Sequence, residues 1–319
     1  MSLVPMRSIL EATEKYNYAQ GAFNVNAVAQ AKAVIEVHEM FRSAAIIQGA
    51  DLANAFMGGR TDFANGTLED KKIGANNIAK AVKKYAENSP IPVALHLDPG
   101  KTVESGVAAM DGGYTSVMID GSSLPFEDNI ALTREVVKLA HARGVTIEGE
   151  LGVLAGVEDH VFAATSTYTN PLDAIRFIKA TGVDALAISY GTKHGANKGA
   201  NAVIRKEIAI ATKECLRHEG IFCALVSHGS STVPQYIVKE INDLGGTITN
   251  AYGIPKDQLK EVSKLGIAKI NVDTDIRLAV TASIRQYLVE HPEAFDPRAY
   301  LKPARQAVKD MVAHKIRNV

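Results

Sequence analysis

The run Ile91-Pro92-Val93-Ala94-Leu95-His96-Leu97-Asp98 decides the fold class of this chain. It is mostly apolar, it has the length of one strand, and it ends on a carboxylate. Stretches with helical periodicity lie on both sides of it, which is the pattern of one βα unit. The rest of the sequence then determines how many such units the chain contains.

Seven further β-rich runs occur along the chain. They are residues 21–25, 44–48, 115–119, 145–150, 185–189, 222–226 and 268–272. Amphipathic stretches such as 128–143 and 173–181 lie between them, the second opened by Asn170-Pro171 and closed by Gly182. Eight strands alternating with helices predict one closed (β/α)8 TIM barrel over residues 1–319, with a C-terminal helical extension.

An open doubly wound sheet is the alternative architecture for alternating strands and helices. No GxGxxG motif follows the first predicted strand, and no other nucleotide fingerprint occurs in the chain. The length of 319 residues also suits one barrel, which typically needs about 250 residues plus insertions. The closed barrel is therefore the favoured prediction.

Polar and ionisable residues stand at or just after the end of every predicted strand. They are Asn24 and Asn26, Gln48, Asp98, Asp120, Glu150, His194, His228, and Asn271 with Asp273. A single Asp or Asn in such a place is more often a helix cap than a catalyst. Because the carboxyl ends of barrel strands converge on one face, a full ring of such residues predicts a functional site there.

Charge balance and hydropathy restrict the partners of the chain. Lysine plus arginine equals aspartate plus glutamate at 35 each, so no overall field favours nucleic acid or an anionic membrane. No apolar run is long enough to span a bilayer, and the N-terminus lacks the features of a signal peptide. We expect a cytoplasmic protein in which Cys215 and Cys223 are buried reduced thiols.

Five segments together carry a resemblance to a known family. They are 21–26 (GAFNVN), 150–159 (ELG followed by GVED), 191–195 (GTKHG), 228–231 (HGSS) and 271–275 (NVDTD). In order and spacing they resemble class II fructose-bisphosphate and tagatose-bisphosphate aldolases over nearly the whole chain. The resemblance implies reversible aldol cleavage of a ketose 1,6-bisphosphate, with fructose 1,6-bisphosphate favoured, to dihydroxyacetone phosphate and glyceraldehyde 3-phosphate.

The resemblance also implies a zinc ion, which polarises the ketone and stabilises the enediolate formed by proton removal. Three histidines hold the ion in the family, and His194 and His228 fall on two of those positions. Glu150 matches a glutamate associated with an alternate metal position. Asp98 matches the aspartate that handles the proton on the aldehyde oxygen, and Glu158 matches a loop carboxylate that moves the carbon-bound proton. A monovalent cation is a second cofactor to be considered.

The substrate implied by the resemblance is a sugar phosphate. Its expected contacts are Asn24, Gly195, Lys198, Gly229, Ser230, Asn271, Asp273, Thr274, Arg277 and Arg298, which offer backbone donors, hydroxyls and positive charge. Lys198 is also consistent with a solvated helix face. Arg298 follows Asp296-Pro297 in a segment resembling the one whose arginine reaches a phosphate in the neighbouring subunit, so a homodimer or homotetramer is expected.

The sequence departs from the family pattern at three places. Pro99 stands where the family has a histidine zinc ligand, and Ala50 stands where it usually has a serine. Ala155 replaces one of two paired glycines in the loop with the mobile carboxylate. His96 matches a histidine that the family usually has as well, so it is not an obvious replacement for the missing ligand.

These departures leave three interpretations open. The chain is a working aldolase with an altered metal site or substrate, for which His194, His228 and Glu150 form a suitable zinc ligand set. Alternatively, it is a catalytically silent relative that still binds sugar phosphates. In the third interpretation, Pro99 is an engineered or accidental substitution in an otherwise ordinary aldolase.

Overall fold

Eight parallel strands close on themselves in the computed structural model, which describes residues 3–158, 161–199 and 201–318. Of residues 157, 158, 161 and 162 it describes the backbone alone. The barrel strands are β1 (Gln20–Asn24), β2 (Ala45–Gly49), β3 (Val93–Gly100), β4 (Ser116–Ile119), β5 (Thr146–Leu151), β8 (Ala185–Ile188), β9 (Ala224–Ser227) and β10 (Ile267–Val272). Pairing of β1 with both β2 and β10 closes the barrel. The predicted (β/α)8 barrel is therefore confirmed.

Twelve α-helices in the described part of the chain precede, connect or follow the barrel strands. They are α1 (Met6–Tyr16), α2 (Val28–Phe41), α3 (Asp51–Met57), α4 (Leu68–Ala86), α5 (Val103–Gly112), α6 (Phe126–His141), α7 (Pro171–Thr181), α8 (Lys206–Glu219), α9 (Gln235–Asp243), α10 (Lys256–Val262), α11 (Thr274–Glu290) and α12 (Pro297–Ile316). The predicted helix at 173–181 corresponds to α7, whose cap Asn170 accepts the backbone N–H of Leu172 at 2.9 Å. No helix in the described part of the chain combines the length and hydropathy that crossing a bilayer requires.

Two features lie outside the predicted βα repeat. Helix α1 precedes β1, and strands β6 (Gly156–Glu158) and β7 (Val161–Ala163) form an antiparallel hairpin between β5 and β8. Strand β3 also continues to Gly100, two residues beyond Asp98, because Gly100 pairs with Ile119 of β4 after an irregularity in the register. Cys223 is buried as expected, whereas Cys215 is half-buried because its position on α8 is partly open to solvent; both are free thiols.

The alternation of side chains along β3 shows how the barrel divides its two faces. Val93, Leu95 and Leu97 belong to the apolar layer between the strands and the outer helices. Ala94 belongs to a second apolar cluster inside the barrel, and His96 and Asp98 share its face of the strand. The same strand therefore supplies the outer core and the polar interior.

The apolar cluster inside the barrel lies at one end and leaves the other end to polar residues. Met6, Ile9 and Leu10 of α1 pack on small interior side chains such as Ala22 and Ala224. Because α1 also contacts β1, β3, β9 and β10, it closes the amino-terminal end of the barrel. The open end is the carboxyl-terminal one, where the polar residues predicted from the strand ends are found.

His38 gives a test of the packing between α2 and β1. Its ring is buried at 5.4 Å from the Phe23 ring, and burial lowers the pKa of the imidazole to about 4. The unfolded chain takes up a proton near pH 6.5, whereas the folded chain takes it up near pH 4. Stability is therefore lost as the pH falls through that interval, by about 3 kcal/mol.

When the pH is lowered from 7 to 4, the unfolding free energy of the parent should fall by about 3 kcal/mol more than that of the His38→Leu variant. Urea unfolding at each pH measures the difference. His218→Gln, which removes an exposed histidine on α8, is the matched control and should follow the parent. An equal acid-induced loss in His38→Leu and in the parent would contradict the assignment.

Candidate active site

A cavity of about 360 Å³ opens at the carboxyl-terminal end of the barrel. Twelve of the residues predicted from the sequence line it: Asn24, Asp98, His194, Gly195, Lys198, His228, Gly229, Ser230, Asn271, Asp273, Thr274 and Arg277. Pro99 and Ala50, two of the three departures from the family pattern, line the same cavity. Residues far apart in the sequence are therefore brought together at one end of the barrel.

The three remaining predicted residues are not among the described residues that line this cavity. Glu150 is buried, and with His194 it lines a neighbouring cavity of about 260 Å³. Glu158 belongs to β6, and its side chain lies outside the described part of the structure. Arg298 is 92% exposed at the start of α12, where it pairs with Asp296 at 2.8 Å, and it does not line the cavity of its own chain.

Beneath the cavity, a cluster of buried charges occupies the barrel interior. The ammonium group of Lys269 lies 2.9 Å from Asp98 Oδ2 and 3.0 Å from Glu148 Oε2. His96 Nε2 lies 3.3 Å from Glu148 Oε2, and its Nδ1 lies 2.7 Å from the hydroxyl of Ser116. All of these side chains are buried, so each charge depends on its charged neighbours for compensation.

This charge cluster sets the ionisation of Asp98. Burial alone would raise the pKa of the Asp98 carboxyl, but the charges of Lys269 and His228 hold it well below the usual value. Burial likewise favours neutral Lys269, but Asp98 and Glu148 raise the pKa of its ammonium group. Asn271 adds a hydrogen bond from Nδ2 to Asp98 Oδ2 at 2.7 Å. Asp98 is therefore an ionised carboxylate held by two donors.

Lys269 and Glu148 were not among the residues predicted for the site, although the sequence contains a signal for them. Glu148 precedes Glu150 by two positions, and Lys269 precedes Asn271 by two. Because side chains in a strand alternate, each of these charged residues shares the inward face of a residue that was predicted. A charged residue on the inward face of a barrel strand requires a partner across the barrel.

His228 connects the charge cluster to Glu150. Its Nε2 donates to Glu148 Oε1 at 2.8 Å, because an ionised carboxylate can only accept. Its Nδ1 lies 3.0 Å from Glu150 Oε2, yet the two atoms are not aligned for a hydrogen bond and neither has another partner. Two buried polar atoms that face each other in this way are suited to share a cation.

The ionisation of these groups differs from one to the next. Burial lowers the pKa of His228, but Asp98 and Glu150 together raise it well above the usual value. Burial, with a smaller contribution from Asp120, raises the pKa of Glu150 to about 7. Burial and the charge of His228 lower the pKa of His194 to about 3, so His194 carries the neutral imidazole that metal ions bind.

His194, His228 and Glu150 carry donor atoms of the kinds that metal ions bind, but the structure does not bring all three donor atoms within 4.8 Å of one another. The rings of His194 and His228 lie 6.5 Å apart between centroids, and Glu150 reaches His228. Two imidazoles and one carboxylate are a known ligand set of catalytic zinc. Pro99 lies at the edge of the same cavity and offers no ligand atom.

A second group, His96, Asp98 and Glu148, places three potential ligand atoms within 4.8 Å of one another. Lys269 already donates to both carboxylates of this group, so its ammonium charge occupies the position that a metal ion would need. A metal ion there would meet a like charge at close range. As long as Lys269 carries its charge, this second group is therefore poorly suited to hold a metal ion.

Other residues that line the cavity have features that suit an anion. Ser230 lies 2.6 Å from the Ser227 hydroxyl, and Ser227 in turn contacts Tyr190. Gly229 has φ of 59°, and a side chain there would clash with the backbone of Lys193. Thr274 begins α11, where free backbone N–H groups favour negative charge.

Comparison with known proteins places these features in a family. The model of the class-II fructose-bisphosphate aldolase family matches residues 4–319. The chain belongs to this family. It is 39% identical to the fructose-bisphosphate aldolase of Treponema pallidum (strain Nichols) over 100% of this chain and 96% of the relative. It is 40% identical to that of Giardia intestinalis, covering 99% of this chain and 93% of the relative.

Solved structures of class II aldolases share the architecture of this chain. The YdjI aldolase from Escherichia coli K12 is similar with a TM-score of 0.73 and 25% identity, over 99% of this chain and 96% of the other. The fructose-bisphosphate aldolase of Campylobacter jejuni has a TM-score of 0.74, with coverage of 99% and 95%, and its 20% identity supports the fold alone. Full-length similarity to named aldolases gives no support to a catalytically silent relative. Membership in the family implies a divalent metal ion.

The balance of buried charges at the barrel axis can be tested by removing Lys269. Lys269→Met leaves Asp98 and Glu148 buried without their ammonium partner, which should cost about 3–5 kcal/mol of unfolding free energy. Urea unfolding in the presence of a chelator measures this cost separately from any metal binding.

Lys179→Met is the matched control, because Lys179 pairs with Glu219 at 2.6 Å on the surface. Exposed pairs contribute little or nothing to stability, so this variant should unfold like the parent. Equal stability of Lys269→Met and Lys179→Met would show that the buried carboxylates do not depend on Lys269.

Proposed function

We propose that this class II aldolase cleaves fructose 1,6-bisphosphate reversibly to dihydroxyacetone phosphate and glyceraldehyde 3-phosphate. The observation that carries the proposal is the convergence of an ionised buried carboxylate, two facing histidines and an anion-binding wall on one cavity. Relatives about 40% identical over nearly the whole chain are named fructose-bisphosphate aldolase. The proposed reaction class is therefore that of a lyase acting on a ketose bisphosphate.

We propose zinc as the metal, with His194, His228 and Glu150 as its protein ligands. Bound there, a divalent cation would polarise the ketone and stabilise the negative charge that develops on its oxygen. Support comes from Nδ1 of His228 and Oε2 of Glu150, two buried atoms that lie 3.0 Å apart and have no hydrogen-bond partner. Because Pro99 supplies no ligand, we expect the affinity for zinc to be lower than that of a site with three histidines.

Asp98 is the proposed acceptor of the proton from the C4 hydroxyl during cleavage, and the donor of that proton during condensation. Lys269 and Asn271 both contact Oδ2, so we assign the proton to Oδ1. The low pKa of Asp98 keeps it ionised before the reaction. Glu158, which the family resemblance assigns to the carbon-bound proton, is proposed to act from the β6–β7 hairpin.

The two phosphate groups are proposed to bind at the glycine- and serine-rich wall. Gly195, Gly229, Ser230 and Thr274 supply neutral donors, and Lys198 and Arg277 supply positive charge. Lys198 is buried with its ammonium group on the Lys193 carbonyl, which favours a role in the cavity over a solvated helix face.

Arg298 extends the proposal to the quaternary structure. Its side chain is almost fully exposed and contacts Asp296 of its own helix, so it can reach a phosphate bound to a neighbouring subunit. We therefore propose a homodimer or homotetramer. A cytoplasmic location accords with the two free cysteines, since reduced thiols are typical of that compartment.

Asp98→Asn tests the proposed reaction. Protein purified without chelator should cleave fructose 1,6-bisphosphate, and the variant should lose about 10²–10⁴-fold in kcat because the general base is removed. Zinc content, measured in parallel, should not change, because Asp98 is not a proposed ligand. Asp310→Asn, on the exposed face of α12, is the control and should match the parent. A zinc-loaded parent that cleaves neither fructose nor tagatose bisphosphate would refute the proposal.

Pro99→His tests the ligand set. The added imidazole should raise zinc affinity by about tenfold or more and increase the rate at limiting zinc. Competition with a chromogenic chelator measures the affinity, and the cleavage assay at graded zinc measures the rate. Pro99→Ala removes the proline ring without adding a ligand, so its affinity should stay close to that of the parent. Equal gains in both variants would mean that residue 99 does not act through coordination.

A further inference from the structure

Helix α12 contributes a buried ion pair directly behind the loop of residues 228–233. The ammonium group of Lys315 contacts the carboxylate of Asp275, and both side chains are buried. Lys315 also donates to the hydroxyl of Thr232 at 2.6 Å. Burying two charged groups carries a considerable desolvation cost, which further hydrogen bonds to the pair can offset.

The carboxylate of Asp275 holds the backbone of the loop. Oδ2 accepts the backbone N–H of Thr232 at 2.9 Å and its hydroxyl at 3.1 Å, and Oδ1 accepts the N–H of Val233 at 2.7 Å. Val233 has φ of 46°, a left-handed conformation that is costly for a β-branched residue. Such a conformation persists where the surroundings over-determine it, and Asp275 provides that constraint.

The loop is fixed on its other side as well. Ile254 donates its backbone N–H to the Ser231 carbonyl at 3.1 Å. Gly253 packs so closely on Thr232 that any side chain at position 253 would clash with that backbone. The loop is therefore clamped between Asp275 and the segment 253–254, and its remaining face is turned to the cavity.

That remaining face carries proposed binding groups, since His228, Gly229 and Ser230 all line the cavity. Asp275 itself follows Asp273 and Thr274, which line the cavity from the start of α11. One carboxylate thus joins the two chain segments from which phosphate donors are expected. Its charge lies behind both of them, where it would repel a bound phosphate if it were not neutralised.

We propose that Lys315 is a positioning residue for phosphate binding, a role that rests on the proposed aldolase function and adds to it. Lys315 neutralises Asp275 and fixes its orientation, and Asp275 in turn holds the backbone donors of the 228–233 loop in place. Donors held in this way bind an anion without losing conformational freedom at that moment. Lys315 itself does not line the cavity and does not touch the reacting atoms.

Lys315→Met removes the ammonium group and keeps most of the side-chain volume. The expected result is an increase of about tenfold in KM for fructose 1,6-bisphosphate with kcat changed less than about threefold, which is the signature of lost ground-state binding. The inhibition constant of inorganic phosphate should rise in parallel. Lys315→Arg retains the charge and should recover most of the parental KM.

Lys309→Met is the matched control on the same helix. Lys309 pairs with Glu36 of α2 at 2.5 Å and has no contact with the loop, so this variant should keep the parental KM. Amide hydrogen exchange gives a second measurement that needs no activity. Exchange in residues 228–233 should accelerate in Lys315→Met and not in Lys309→Met.

The double variant Asp275→Asn/Lys315→Met guards against misfolding of the single variant, because it leaves no buried unpaired charge. It should show the same rise in KM and the same local exchange. A parental KM in either variant, or a fall in kcat without a rise in KM, would overturn the role of Lys315. Failure of the parent to cleave the bisphosphate would refute the aldolase proposal instead. In that case, the role of Lys315 would still be tested by calorimetric titration with inorganic phosphate and by hydrogen exchange.

Discussion

Three charged groups, Lys269, Asp98 and Glu148, meet in the barrel interior and are buried from solvent. Lys269 donates to Asp98 at 2.9 Å and to Glu148 at 3.0 Å, and removal of Lys269 would leave two buried carboxylates without their ammonium partner. They come from three strands, β10, β3 and β5, so the registers of these strands must agree for the cluster to form. The ionised state of Asp98 and the orientation of His228 both follow from this cluster.

The two ends of the barrel have different roles: apolar packing at one end stabilises the fold, and polar side chains at the other end line the cavity. At the amino-terminal end, α1 inserts Met6, Ile9 and Leu10 among alanine side chains and removes apolar surface from water. At the carboxyl-terminal end, polar side chains face a cavity of about 360 Å³. The apolar packing at the amino-terminal end stabilises the fold. It thereby offsets the free-energy cost of the buried charges and of the left-handed backbone of Val233 at the opposite end.

The eight strands and the polar residues at their ends could be predicted from the sequence, because alternation and strand-end polarity are local signals. The cavity residues Gly195, Lys198, Gly229, Ser230, Thr274 and Arg277 were predicted from the family resemblance instead. The sequence was insufficient for Lys269 and Glu148, whose roles depend on contact across the barrel between residues 121 positions apart. It was also insufficient for α1, since an amphipathic helix before the first strand does not reveal which end of a barrel it closes. The buried contact between Lys315 and Asp275 could not be predicted either, because a lysine in a helix is ordinarily expected in solvent.

The charge cluster also bears on how the proposed metal site tolerates Pro99. Glu148 accepts the Nε2–H of His228 at 2.8 Å, which leaves Nδ1 as the nitrogen that faces Glu150. Loss of a partner that orients a histidine ligand typically costs about 10–100-fold in metal affinity. Because Lys269 balances Glu148 independently of residue 99, the orientation of His228 survives the loss of a third histidine. The same set of buried charges that keeps Asp98 ionised therefore preserves the core of the proposed metal site.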